Sequence, residues 1–254
     1  MKKLALTLLS TSILFVSSQS MARDFNFDGL NSFEQRLNGF LFKKSQEKRG
    51  AATYKITVTN LTKGQPFSPV AAIAYDGKQH GPAFTLGESA PVGIEHIAEY
   101  GNAADLFNSS FVTDSAQAPT DIETRLPGRT AEFELVLNNS RSTHLALAGM
   151  LGRTNDGFIG VPHFDLTQLR LNEEVTIESP SYDAGTEDND EALETLAALG
   201  VGPARDENRT DSVDYITVHS GVISKDAGLA NSQLNRNDRL PLGSAARITI
   251  ERVN

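Results

Sequence analysis

From Ala51 onward the chain alternates apolar and polar residues with a period of two, and this pattern constrains the fold most. Tyr54, Ile56 and Val58 are separated by single polar residues, as in a strand that buries one face. Similar runs follow at 70–75, 131–137, 145–151, 158–161, 175–178, 213–219 and 247–253. Turns and loops separate these runs without long helices between them, which favours antiparallel pairing. The pattern predicts an all-β fold, an antiparallel β-sandwich of about eight strands.

The first 50 residues have a different character. Lys2 and Lys3 precede an apolar run from Leu4 to Val16, followed by small residues, which is typical of a secretory signal peptide cleaved near Ala22. We therefore expect a periplasmic or secreted protein, with no integral membrane segment in the mature chain. Residues 23–50 form a helical and linker segment, because apolar residues recur at helical spacing between positions 30 and 41. The main domain is predicted to span 51–254.

Two short helices are expected inside that domain. The first covers 94–100, and the second covers 191–199 and opens with acidic residues, which suit the positive end of a helix dipole.

Composition and motifs exclude several classes of protein. A net charge of −9 opposes a nucleic-acid partner, and the absence of cysteine removes disulfides, thiolate metal sites and cysteine nucleophiles. The sequence contains no nucleophile elbow, phosphate-binding loop or paired zinc-binding histidines, so we predict no catalytic residues. The five histidines lie far apart in the chain, although folding could still gather some of them.

The strongest local signal is an acid-rich segment between Ser181 and Asp214. It holds ten acidic residues against Arg205 and Arg209. Such a cluster repels itself unless it is solvated or neutralised, and Ca²⁺ prefers oxygen ligands of this kind. The alternative is an exposed flexible loop, since the spacing is not that of an EF-hand.

One part of this segment, Tyr182-Asp183-Ala184-Gly185-Thr186-Glu187, resembles the Y/W-D-A-G-T-D signature of the spondin N-terminal (F-spondin) domain family. Three further segments resemble that family in the same order along the chain: 54–58 with 67–69, 156–161 after Met150, and 245–250. The resemblance covers about 51–254.

The resemblance implies a secreted, non-enzymatic β-sandwich of C2-like or immunoglobulin-like outline with a Ca²⁺ near one end. The family's metal ligands correspond to Asp156, Asp183 and Glu187, with Asp188 as an alternative because Glu187 stands where Asp is usual. Gly157 replaces the usual Trp. Animal members serve in matrix adhesion, but they carry disulfides and following repeats that this chain lacks. The partner is therefore an unknown extracellular or envelope ligand.

Three alternatives stay open at this stage. Asp183 and Thr186 could simply close an Asx-type or hydroxyl-type turn. The protein could be a hydrolase that acts on a cell-envelope polymer through paired carboxylates, which a deep cleft with a carboxyl of raised pKa would favour. Attachment to a membrane surface is disfavoured by the acidic balance.

Overall fold

The computed structural model describes residues 52–108, 125–137, 140–193, 195–199 and 213–254. All of them belong to one unit, Arg49–Asn254. The predicted signal peptide at 1–22 and the segment 23–50 with its helix lie outside the described residues.

Nine strands are present in this part of the chain, and they form two antiparallel sheets, which confirms the all-β class. The four-stranded sheet has the order β3-β1-β9-β6, and the five-stranded sheet has the order β2-β4-β5-β7-β8. The strands are β1 Ala52–Asn60, β2 Ala71–Tyr75, β3 Thr130–Leu137, β4 His144–Met150, β5 Gly157–Asp165, β6 Glu174–Ser179, β7 Tyr182–Asp183, β8 Thr217–Val218 and β9 Ala246–Arg252.

Period-two patterning explains where the main core lies. Ile56 of β1 and Ile248 of β9 are fully buried, and they belong to one hydrophobic cluster with Ala72 of β2, Leu147 of β4 and Ile159 of β5. Both sheets therefore contribute side chains to the same core, as alternating strands do when each buries one face.

The five-stranded sheet is covered on its other face as well. The two α-helices are α1 Val92–Tyr100 and α2 Ala104–Phe107. Ile94 and Ile97 of α1 and Leu106 of α2 cluster with Ile73 and Tyr75 of β2. Burial on both faces explains why β2 is a continuous apolar run rather than an alternating one.

The structure confirms one predicted helix and corrects the other. The prediction at 94–100 corresponds to α1, which is followed by Gly101 in the left-handed conformation (φ 66°). The predicted helix at 191–199 is wrong, because the described residues of this range, 191–193 and 195–199, contain only a short 3₁₀ turn, Ala197–Leu199. Glu191 itself has φ 54°, which a right-handed helix cannot accommodate at its start.

Two details of the strand prediction also change. The run 213–219 contributes only the two-residue strand β8, and β7 is too short for its pattern to be recognised. No helix among the described residues is long and apolar enough to cross a bilayer.

Candidate functional site

Asp156 and Asp183 are brought together by the pairing of β5 with β7. Asp156 immediately precedes β5, and Asp183 ends β7 opposite Gly157. The Ala184 N–H donates to the main-chain carbonyl of Asp156 over 3.1 Å, which extends this pairing. Two residues 27 positions apart therefore flank adjacent strands at the same end of the sheet. We call residues 183–191, which follow from this point, the acid loop.

The carboxylate of Asp156 organises the first turn of the acid loop. Its Oδ2 accepts hydrogen bonds from the Thr186 N–H at 2.7 Å, the Thr186 hydroxyl at 3.2 Å and the Glu187 N–H at 3.1 Å. Gly185 lies inside this turn with φ 67°. One carboxylate oxygen thus fixes the backbone of the Ala-Gly-Thr-Glu segment.

The second oxygen of Asp156 is in a different situation. Oδ1 is buried without a hydrogen-bond partner among the described residues, in a side chain that is fully buried. Burial and, after it, the charge of Asp183 together raise the pKa of Asp156 to about 7, against the hydrogen bonds from Thr186 and Glu187. An orphaned carboxylate oxygen is costly in a protein interior and points to a missing ligand or to a proton.

Asp183 has both oxygens engaged. Oδ1 accepts from the Gly185 N–H at 3.0 Å, and Oδ2 accepts from Asn189 Nδ2 at 2.8 Å. The bond to Gly185 closes the Asx-type turn that the sequence left open as an alternative. This bond does not exclude a metal role, because a carboxylate oxygen can accept a second interaction.

The other two predicted ligands differ in exposure. Glu187 is buried, and its main-chain N–H holds Asp156, whereas Asp188 is exposed to solvent. Of the two alternatives for the third ligand, Glu187 is the buried one, and its main chain contacts Asp156.

Glu191, which the sequence analysis did not single out, closes the acid loop. It is fully buried, its Oε1 accepts from the Ile223 N–H at 3.2 Å, and its Oε2 has no hydrogen-bond partner among the described residues. Burial raises its pKa to about 7, and the charges of Asp190 and Asp183 act in the same direction against the Ile223 N–H. A positive φ at a buried Glu is a strained conformation of the kind found at functional sites.

Two more titratable side chains, Glu99 and His219, lie close to the acid loop. Burial raises the pKa of Glu99 in α1, while interactions with the side chains of Tyr100 and Thr186 oppose the shift. Burial lowers the pKa of His219, and the nearby charge of Asp183 opposes that effect. The Nδ1 of His219 accepts from the Gly221 N–H at 3.1 Å, and its buried Nε2 has no hydrogen-bond partner in the described part of the chain.

Few basic side chains lie close enough to neutralise the acidic groups at this end of the sheet, among the residues that the structure describes. No Lys or Arg of the described residues forms an ion pair with Asp156, Asp183, Glu191 or Glu99. In the part of the chain that the structure describes, no group of three or more His, Asp or Glu side chains is already arranged around a metal position. The donor chemistry therefore suits a hard cation, while the full ligand set is not preassembled.

A cavity of about 270 Å³ lies beside the acid loop. It is lined by Ser181, which precedes β7, by His219, which follows β8, and by the segment 240–244. The exposed side chains of Val218 and Leu242 belong to the same lining. Because His219 lies within electrostatic reach of Asp183, the cavity and the acid loop are neighbours.

No model of a known protein family matches this chain, and no curated protein matches it either. The interpretation of this site therefore depends on its residues and their geometry.

Proposed function

We propose that this chain is a non-enzymatic binding module, a β-sandwich of the spondin type that acts in the periplasm or outside the cell. In this proposal one Ca²⁺ holds the acid loop, and the loop supports a recognition surface for an extracellular or envelope ligand. Two packed antiparallel sheets and the acid loop support the proposal, together with the sequence resemblance at 182–187.

The buried Oδ1 of Asp156 is the observation that carries the metal assignment. It is a hard oxygen donor without a hydrogen-bond partner among the described residues, beside a second buried carboxylate, Asp183. Asp156 and Asp183 would hold the ion, with Glu187 as the third acidic ligand and main-chain carbonyls and water completing the set. The ion would neutralise carboxylates that otherwise repel one another.

The cavity beside His219 is the recognition surface that this arrangement supports. With about 270 Å³ it suits a single side chain or sugar-sized group better than a large ligand. Its lining combines the polar side chains of Ser181 and His219 with apolar Leu240 and Leu242. Calcium at the acid loop would stabilise the wall of this cavity that β7 and β8 provide.

Calorimetry and thermal unfolding of the chelator-treated protein test the calcium assignment. We expect one Ca²⁺ per chain and a melting temperature that rises with calcium concentration as RT ln(1 + [L]/Kd). Asp156→Asn and Asp183→Asn should abolish most of this rise, whereas Asp188→Asn should leave it nearly intact. Glu132→Gln removes one exposed carboxylate from β3 and is the matched control. Equal effects of all four variants would indicate diffuse surface charge and contradict the site.

The hydrolase is the second candidate, because Asp156 and Glu191 both have pKa values raised to about 7. A catalytic carboxyl must also reach its substrate, and these two side chains are fully buried. Three cavities, of about 270, 240 and 470 Å³, are lined by other residues. The burial of both carboxyls favours the binding module. If the wild type released soluble fragments from an envelope polymer and Asp156→Asn did not, the hydrolase would be favoured over the binding module.

A further inference from the structure

Two histidines that are far apart in the chain meet at one end of the five-stranded sheet. His144 begins β4, and His163 lies in β5. Their ring centroids are 4.2 Å apart, and the ring planes are inclined by 33°. In the sheet register Tyr75 and Asp165 are the partners of His144 on either side, so all four side chains lie on one face.

Each ring is held through its Nδ1 atom by a hydroxyl group. The Tyr75 hydroxyl lies 2.6 Å from His163 Nδ1, and the Thr143 hydroxyl lies 2.9 Å from His144 Nδ1. Tyr75 is fully buried, so the ring of His163 is held by a fixed group. Metal-binding histidines are commonly oriented in this way, with one ring nitrogen fixed by a neighbour and the other directed to the ion.

The Nε2 atoms of both rings remain available. Neither forms a hydrogen bond within the described part of the chain, and His163 is exposed while His144 is half-buried. Partial desolvation of the His163 ring on the Tyr75 side lowers its pKa, and the neighbouring His144 lowers it as well, which favours the neutral imidazole that binds metals. Asp165 adds a negative charge on the same face, which favours a cation.

We propose that His144 and His163 form a binding site for one transition-metal ion, Zn²⁺, Ni²⁺ or Cu²⁺, through their Nε2 atoms. Two nitrogens on one tetrahedral ion at about 2.0–2.1 Å lie roughly 3.3 Å apart, so the two rings, whose centroids are 4.2 Å apart, must turn until both Nε2 lone pairs point at the ion. Water completes the coordination. Imidazole nitrogen selects these metals over Ca²⁺, so the site is independent of the acid loop.

The test uses the full chain after chelation, in buffer with excess Ca²⁺ to saturate oxygen sites. Cu²⁺ is added and followed by electron paramagnetic resonance, and Zn²⁺ and Ni²⁺ binding is measured by calorimetry. We expect one ion per chain, with hyperfine splitting from two nitrogens in the copper spectrum. His163→Gln should weaken binding roughly tenfold or more, since it removes one of two ligands.

The controls separate this site from general binding to surface histidines. His163→Gln also changes the contact with the buried Tyr75 hydroxyl, so its melting temperature in chelator is measured beside its affinity to show that it is folded, and His144→Gln is the second variant. His80→Gln removes a histidine outside the pair and should leave affinity unchanged. Binding that survives both His163→Gln and His144→Gln, or that falls equally in His80→Gln, would overturn the proposal.

Discussion

At the scale of single residues, Asp183 is the charge on which its neighbours depend. It raises the pKa of Asp156 and of Glu191, and it opposes the lowering of the His219 pKa that burial causes. Proton binding in this part of the structure is therefore shared between several groups, as expected for closely spaced acids. A bound cation would act on all of them at once.

The raised pKa values predict how the stability of the cation-free protein depends on pH. Asp156 and Glu191 have folded-state pKa values of about 7, so between about pH 4 and 7 the folded state binds protons that the unfolded chain has lost. Their contribution to stability should therefore fall as pH rises from about 4 to about 7 and change little above that. Thermal unfolding in chelator should give a higher melting temperature at pH 5.5 than at pH 8, because two carboxyl groups outweigh the lowered pKa values of His219 and His163, which act in the opposite direction below about pH 6.5. Saturating calcium should reduce this difference.

A paired substitution checks the cause of this dependence. Asp183→Asn removes a charge that raises both pKa values, so it should shrink the difference between pH 5.5 and pH 8. Glu132→Gln on β3 should leave the difference unchanged. An undiminished difference in Asp183→Asn would show that burial alone causes the shifts.

At the scale of elements, the sequence indicated part of the candidate site. Asp156, Asp183 and Glu187 were predicted from the resemblance of 156–161 and 182–187 to the spondin family, and the pairing of Gly157 with Asp183 explains how Asp156 and Asp183 come together. Glu191 could not be predicted, because its position depends on a positive φ that no local pattern signals. Glu99 reaches Thr186 only because α1 docks on the sheet, a tertiary contact that the sequence does not reveal.

Gly185 determines whether the turn of the acid loop can form. It has φ 67°, and a Cβ atom there would lie 2.5 Å from the main-chain oxygen of Tyr215. Gly185→Ala should therefore lower the free energy of unfolding by roughly 2 kcal/mol or more, and it should weaken calcium binding. Chemical denaturation with and without calcium measures both effects.

Gly128→Ala is the matched control for this substitution. Gly128 also has a positive φ, 75°, but nothing lies within 4 Å of the added Cβ atom. This variant should show only the conformational cost of about 1 kcal/mol and unchanged calcium binding. Similar losses in the two variants would mean that the contact with Tyr215 is unimportant.

At the scale of the whole molecule, alternation predicted most strands but not their order. β1, β3 and β9 show the period of two, because each exposes one face to solvent. The order β3-β1-β9-β6 brings together strands that are distant in the chain, and the meeting of His144 and His163 is likewise a product of strand pairing. Neither follows from local pattern, because pairing is decided by the packing of the complete sheets.

The change of pattern at Ala51 predicts that the first 49 residues are dispensable for folding of the rest. The two main hydrophobic clusters described here draw their residues from 52–254, one between the sheets and one under α1 and α2. A chain that begins at Gly50 should therefore unfold in one cooperative transition, with a melting temperature close to that of the longer chain.

A second truncation shows whether this test detects the loss of a real part of the fold. A chain that begins at Leu61 lacks β1, which lies between β3 and β9 and carries the fully buried Ile56 and Val58. Removing it leaves the hydrogen-bonding edges of both neighbours unpaired and opens the core, so this chain should show no cooperative transition. Circular dichroism and calorimetry on both chains make the comparison. If the chain from Gly50 behaves like the chain from Leu61, residues before Gly50 complete the core and the predicted boundary is wrong.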